Sequence, residues 1–424
     1  MTRRAASPWA WIPTLYFAQG LPYVAVMTVS VIMYKRLGVS NTDIALYTGW
    51  LYLPWVIKPF WSPFIDIFGQ KRRWTVIMQW VLAASLAAVA LALPGPEFFR
   101  LSLAAFWITA FASATHDIAA DGFYMLGLSE HQQSLFVGIR TTFYRLAILA
   151  GQGGIVVMAG RMEEATGNIP LAWSRAMMAA AALLALLAVW HSFILPHPPL
   201  DTPRGRGITP RKVLSEFAET FRSFFAKPQT VAAVAFMLLY RLPEAQLVKL
   251  INPFLLDPPE VGGLGLSTAQ VGVVYGTVGV IALMAGGVAG GIVAARGGLR
   301  KWLMPMAWAM SLTCATFLYL SLVPEPGLLT VNLCVAIEQF GYGFGGTAYT
   351  LYLIYYALGP NRTSHYAIAT GFMALGMMLP GMAAGWIQEM LGSYTAFFIW
   401  TMACCAITIA AAARLKVPAE FGRK

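Results

Sequence analysis

Within long apolar stretches of this 424-residue chain stand a few charged side chains, and their spacing sets the chemistry open to it. One group is His116, Asp117 and Asp121, followed by Arg140 and Arg145. A second is Arg241, Glu244 and Lys249, and a third is Glu338 with Gln339. A charge in hydrocarbon costs about 2.5–3.5 kcal/mol or more, so such residues face a bundle interior or a water-filled cavity and mark ion or substrate paths. Carboxylates there can take up a proton on one side and release it on the other, while basic groups attract an anion. Asp117, Asp121, Glu244 and Glu338 are therefore the candidate proton carriers. Gln19, Tyr23, Arg140, Tyr144, Arg145, Gln152, Arg241, Lys249 and Tyr342 are the candidates for holding a solute's carboxylates and hydroxyls.

Asp117 and Asp121 are four apart and share a helical face, which suits pairing with Arg140 and Arg145. In a purely mechanical reading the same four neutralise one another and brace two helices, and both readings stand. For Arg241, Glu244 and Lys249 the functional reading is favoured, because Lys249 has no acidic neighbour on its own helix. Arg241 and Glu244, three apart, form a same-helix pair that would open on protonation of Glu244. A membrane enzyme with a metal at His116, Asp117 and Asp121 is a weaker alternative. One histidine and two carboxylates on one helix are a thin ligand set; His191 is expected near a helix end, and His131 and His365 in loops. Cys314, Cys334, Cys404 and Cys405 sit in apolar blocks without ligand spacing and read as small fillers. No metal or cofactor is expected.

The elements that must position these groups follow from composition. Hydrophobic residues make up 58% of the chain and charged ones 11%, with a mean hydropathy of +0.65. Soluble domains carry about 25% charged residues, so an ordinary soluble enzyme, a disordered chain and a nucleic-acid binder are excluded. Apolar blocks fall near 9–34, 43–65, 74–93, 101–126, 134–159 and 171–194, then near 230–256, 267–293, 302–323, 327–352, 363–388 and 392–413. Such blocks cross a bilayer as helices, because hydrocarbon offers no partner to a free peptide group. The expected fold is all-α, with twelve transmembrane helices in two six-helix halves, 1–194 and 230–424. The linker 195–229 holds an amphipathic run (Val213, Leu214, Phe217, Phe221, Phe224, Phe225) expected to lie on the membrane surface. The first block, too long for a signal h-region, reads as a span.

With the N-terminus inside, the cytoplasmic loops and termini hold 19 Lys and Arg and the opposite loops 5, so both termini are expected in the cytoplasm. The net charge of +11 is thus a topology signal, not a nucleic-acid footprint. Asp66 with Lys71, Arg72 and Arg73 forms a tight basic loop after the second block, echoed after the eighth by Arg296, Arg300 and Lys301 with Ala295 in place of the Asp. Parallel six-helix repeats are the plan of major facilitator transporters, and the first loop resembles that superfamily's Gly-x-x-x-Asp-x-x-Gly-x-Arg-Arg signature. A gating role for Asp66, Lys71, Arg72 and Arg73 follows. Gln19-Gly20-Leu21-Pro22-Tyr23 suggests a broken helix lining a cavity. The Gly286–Gly291, Gly341–Gly346 and Gly381–Gly385 runs suggest close helix packing.

Lys58-Pro59-Phe60-Trp61-Ser62-Pro63 with Asp66, and Ser113 through Gly122 around His116-Asp117-Ile118, resemble stretches of the AmpG-type muropeptide permeases, a major facilitator branch shared with acetyl-coenzyme A transporters. Tyr144-Arg145-Leu146 through Gly151, Leu239 through Ala245, Glu338 through Ala348 and Gly381 to Trp386 extend the resemblance over nearly the whole chain. It departs where His116 replaces a Gln and where Pro243-Glu244 replaces Gly-Asp. The resemblance implies proton-driven import of anhydromuropeptides across a bacterial inner membrane by a monomer in contact with lipid. The same fold carrying acetyl-coenzyme A, a siderophore or a drug is the alternative. A non-transporting sensor would call for a signalling domain.

Overall fold

The computed structural model describes residues 7–128, 130–199, 201, 210–359, 362–419 and 421; the side chains of 63, 64, 66–68, 130, 131, 133–135, 137, 138, 210, 212–214, 216, 362 and 363 lie outside the described residues. The described elements are all helical. The first six blocks give α1 (Pro8–Arg36), α2 (Asn41–Trp50) with α3 (Leu53–Phe68), α4 (Lys71–Ala92), α5 (Phe98–Gly127), α6 (Glu130–Leu149) continued by α7 (Val156–Thr166), and α8 (Ile169–Ile194). After the linker helix α9 (Pro210–Phe225) come α10 (Thr230–Leu239) with α11 (Leu242–Leu256), α12 (Thr268–Gly297), α13 (Leu299–Leu312) with α14 (Ala315–Leu322), α15 (Leu328–Ala357), α16 (Arg362–Leu391) and α17 (Tyr394–Ala413). Among the described residues ten stretches are long and apolar enough to cross a membrane by length and composition alone. With α2–α3 and α15 the count is twelve.

Two helix breaks differ from the sequence expectation. The Gln19–Tyr23 stretch does not interrupt α1, since helix runs through Pro22 and opens into a π turn at Ala25–Val29. The break occurs instead at Tyr240–Arg241, where Arg241 caps the start of α11 and Pro243 sits in its first turn. Pro at that position needs no N–H and stops α10 from continuing.

The helices gather into two compact units, Met1–Met33 with Phe60–Val213, and Tyr34–Pro59 with Leu214–Lys424. The first has a core of Trp11, Leu15, Tyr16, Phe123, Tyr124 and Phe136. The second is built on Phe236, Tyr240, Tyr349, Tyr352 and Tyr356, and takes Phe224 of α9 fully into it. The linker helix is thus docked on protein at its C-terminal end, where Phe224 meets Tyr356 and Phe372. Large apolar side chains such as Leu91, Phe193, Val231 and Leu329 are exposed, as a hydrocarbon solvent permits.

The glycine runs do close packing. A Cβ on Gly286 would stand 2.1 Å from the Phe340 carbonyl, and one on Gly343 2.1 Å from the Leu283 carbonyl, so α12 and α15 touch backbone to backbone. Gly291 and Gly346 have open space at the same positions. Gly343→Val is therefore expected to destabilise the protein by about 1–3 kcal/mol through overpacking, read as a lower melting temperature in detergent. Gly346→Ala should leave the melting temperature unchanged, and equal effects of the two would contradict the packing.

Candidate functional site

In the first unit, α1 supplies a partner to each acid on α5. Tyr16 donates to Asp121 Oδ1 at 3.0 Å, and Gln19 donates to Asp117 Oδ1. Arg140 of α6 pairs with Asp121 at 3.2 Å and lies 4.6 and 4.9 Å from the ring centres of Tyr16 and Tyr124. The two aspartates share a face, as their spacing requires, but only Arg140 of the two arginines pairs with them. Arg145 is half-buried and makes no ion pair or hydrogen bond among the described residues. Tyr23 and Tyr144 approach to 6.3 Å between ring centres, and Gln152 donates to Thr28 at 3.0 Å, joining the π turn at Ala150–Ile155 to that of α1.

His191 stands in the last turn of α8, near the helix end as expected, but it is linked to His116. Both are fully buried, and Gln79 of α4, also fully buried, joins them. Thr14 meets His191 Nε2 at 2.9 Å, His191 Nδ1 meets Gln79 Oε1 at 2.9 Å, and Gln79 Nε2 donates to His116 Nε2 at 3.0 Å. This chain ties α1, α4, α5 and α8 together. It also turns His116 toward Gln79 while Asp117 and Asp121 face Gln19 and Arg140, so the three residues of the metal alternative serve different partners.

The basic loop is anchored by a residue that sequence reasoning missed. Asp201 accepts from the backbone N–H of Lys71 at 2.6 Å and of Arg72 at 3.0 Å, placing a carboxylate on the positive end of α4. Arg72 donates to the Ser192 and Leu195 carbonyls at the C-terminal end of α8. Arg73 is exposed, and the side chain of Asp66 lies outside the described residues. An aspartate just beyond a Pro-Pro pair carries no sequence signal for such a contact.

The second unit holds the other cluster. Arg241 grips Glu244 through both carboxylate oxygens, at 2.7 and 3.1 Å, donates to the Tyr342 hydroxyl and lies over that ring. The pair forms with the three-residue spacing the sequence shows, but across a helix start, with Glu244 in the first turn where the dipole favours an anion. Glu338 is 2% exposed and accepts from Gln339 at 2.8 Å; no cation pairs with it among the described residues, and Glu244 is close enough to act on it electrostatically. Tyr275, which no sequence signal singled out, lies in the field of both carboxylates. Lys249 is 1% exposed, donates to Thr48 at 2.8 Å and sits 5.2 Å from the ring centre of Tyr52.

Buried carboxylates with and without basic partners on membrane-crossing helices can exchange protons and bind an anion. Residues 14–379 match the Major Facilitator Superfamily. The chain is 26% identical over 401 residues to the anhydromuropeptide permease of Escherichia coli K12, covering 92% of this chain and 76% of the relative. It superposes on the crystal structure of the nucleoside transporter NupG with a TM-score of 0.68 and 17% identity, covering 96% of this chain and 99% of the other. On the D-xylose-proton symporter the TM-score is 0.71 at 12% identity, with 98% of each chain covered. The expected twelve-helix fold and the likeness to muropeptide permeases are borne out, and the protein is a transporter, not an enzyme: the chain belongs to the Major Facilitator Superfamily.

Proposed function

We propose that the protein imports anhydromuropeptides with protons by alternating access across a bacterial inner membrane, as a monomer with both termini in the cytoplasm. The observation that carries the reading is the likeness to an anhydromuropeptide permease along 92% of the chain. Arg145, half-buried and unpaired among the described residues, supports it, since such a guanidinium suits a peptide carboxylate, with Gln19, Tyr23, Tyr144, Gln152 and Tyr342 supplying contacts to sugar and amide groups. Arg140 and Arg241 hold the acids Asp121 and Glu244 until substrate or proton arrives. Asp117, Asp121, Glu244 and Glu338 are the proton carriers, and Lys71, Arg72, Arg73 and Asp66 belong to the gate. Lys249, sealed against Thr48 and Tyr52, is not a substrate contact in this reading.

The test is uptake of labelled anhydromuropeptide into proteoliposomes under an imposed pH gradient. Accumulation is expected to vanish when the gradient is collapsed; uptake indifferent to that would sink the coupling, and preference for acetyl-coenzyme A or a siderophore would sink the cargo. Arg145→Ala is expected to raise KM by about tenfold or more, the worth of a charge-assisted hydrogen bond of ~1.5–3 kcal/mol, with an unchanged melting temperature. An unchanged KM removes Arg145 from the site.

A further inference from the structure

Residues 34–59 precede the linker, yet they pack in the same compact unit as residues 214–424. Their contact runs along one face of α2. Asn41, Thr42, Ala45, Thr48 and Gly49 recur at the three- and four-residue spacing of a single helical face. Ala45, Thr48 and Gly49 are buried. A Cβ on Gly385 of α16 would stand 2.6 Å from the Thr42 Cα, and one on Gly49 3.2 Å from the Met382 Cα, so α2 and α16 touch backbone to backbone. Lys249 of α11 adds a bond to Thr48. At the N-terminal end of α2 this small-residue face gives way to a closed ring of polar bonds. Lys35 pairs with Asp257 at 2.7 Å and donates to Asn41 at 2.8 Å, Asn41 donates to the Tyr394 hydroxyl at 2.8 Å, and Tyr394 donates to Asp257 at 2.5 Å. Thr42 extends the ring with a bond to Glu389 at 2.6 Å.

We propose that the Lys35–Asp257–Tyr394–Asn41 ring is a reversible latch, which holds α2 on the C-terminal half and closes the end of the transporter that faces away from the cytoplasm. Two features separate it from a fixed brace. Asp257 caps the C-terminal end of α11, where the helix dipole disfavours a carboxylate, so its own helix gains nothing from the charge. Lys35 and Tyr394, from two other helices, are what answer it. The side chains of Lys35 and Asp257 are also 16% and 15% exposed, so water can reach them and take over their bonds as the ring parts. Trading protein hydrogen bonds for water bonds leaves only a small net difference, unlike stranding a charge in hydrocarbon. The ring therefore holds while closed and opens at modest cost. Behind it the α2 face carries small side chains, which separate without dragging bulky groups out of a partner's core. Parting the ring uncovers that face, Ala45 first, one helical turn behind Asn41.

The side of the membrane rests on the proposed topology, with both termini in the cytoplasm and the loop after α1 outside; the latch itself is measurable without topology or substrate. The reporter is Ala45→Cys, buried while the ring is closed, and the readout is its rate of modification by a membrane-impermeant maleimide, followed by mass spectrometry of the labelled peptide; the native cysteines are buried. In lipid nanodiscs the reporter protein is expected to react slowly. Asp257→Ala should speed the reaction about tenfold or more, the worth of a charge-assisted hydrogen bond, and Tyr394→Phe, which removes one hydroxyl and nothing else, by a smaller factor of about threefold. Exchanging the charges, Lys35→Asp with Asp257→Lys, should slow labelling again relative to either single replacement. Glu97→Ala, which removes an exposed pair on another loop, should leave the rate unchanged. Equal rates in the reporter protein, Asp257→Ala and Tyr394→Phe, all with intact melting transitions, would overturn the latch. In vesicles of known orientation, labelling of Asp257→Ala from the outer face supports the proposed end, and labelling from the cytoplasmic face alone overturns it. Failure to take up anhydromuropeptide would refute that cargo and leave these rates standing.

Discussion

Replacing Arg241 by Leu is expected to cost the protein about 3–5 kcal/mol, the penalty of leaving one partner of a buried ion pair unanswered. The Glu244 side chain, 8% exposed beside Arg241, would be left near a second buried carboxylate at Glu338 and without the guanidinium that holds both of its oxygens. Glu244→Leu should cost a similar amount by stranding the guanidinium. The double replacement should recover most of the loss, because no charge is then buried alone. The check is a double-mutant cycle of thermal unfolding in detergent. Losses that simply add in the double variant would show that the two side chains do not act as a pair.

Glu338→Gln is expected to abolish accumulation driven by a pH gradient while leaving exchange of solute across the membrane intact. A pH difference of one unit is worth about 1.4 kcal/mol for each coupled proton, or about tenfold in the accumulation ratio. Glutamine has the shape of the protonated carboxyl and still meets Gln339, but it cannot release a proton. The substituted carrier should therefore shuttle solute in its loaded form and lose that tenfold factor. Concentrative uptake is measured in proteoliposomes with an acid exterior, and exchange by counterflow at equal pH. Full gradient-driven accumulation in the variant would remove Glu338 from the coupling path, and loss of counterflow would assign it to solute binding instead.

Much of this architecture is legible in the residues alone. The length of the apolar blocks requires helices, because an unpaired peptide group is intolerable in hydrocarbon. The Arg241–Glu244 and Asp117–Asp121 spacings already imply a shared helical face, since 3.6 residues per turn is a local property. The isolation of Glu338 and of Lys249 from oppositely charged neighbours along their own helices is also readable, and the structure keeps both without an ion-pair partner among the described residues.

What the residues did not disclose is which side chain meets which across helices. Arg140 and Arg145 look equivalent in sequence, yet only Arg140 reaches Asp121. His191 looks like a helix-end histidine until Gln79 links it to His116, and Asp201 looks like a loop acid until it caps α4. Pro22 suggests a break, yet the helix runs through it and the break appears at Arg241. The physical reason is the same in each case. Burial cost, helix period and loop charge act along the chain and sum residue by residue, whereas ion pairs, hydrogen-bond chains and glycine packing depend on the rotation and separation of helices distant in sequence. The sequence by itself determined a twelve-helix membrane transporter with its charges buried, and only the packing of those helices decided which of the charges stay paired.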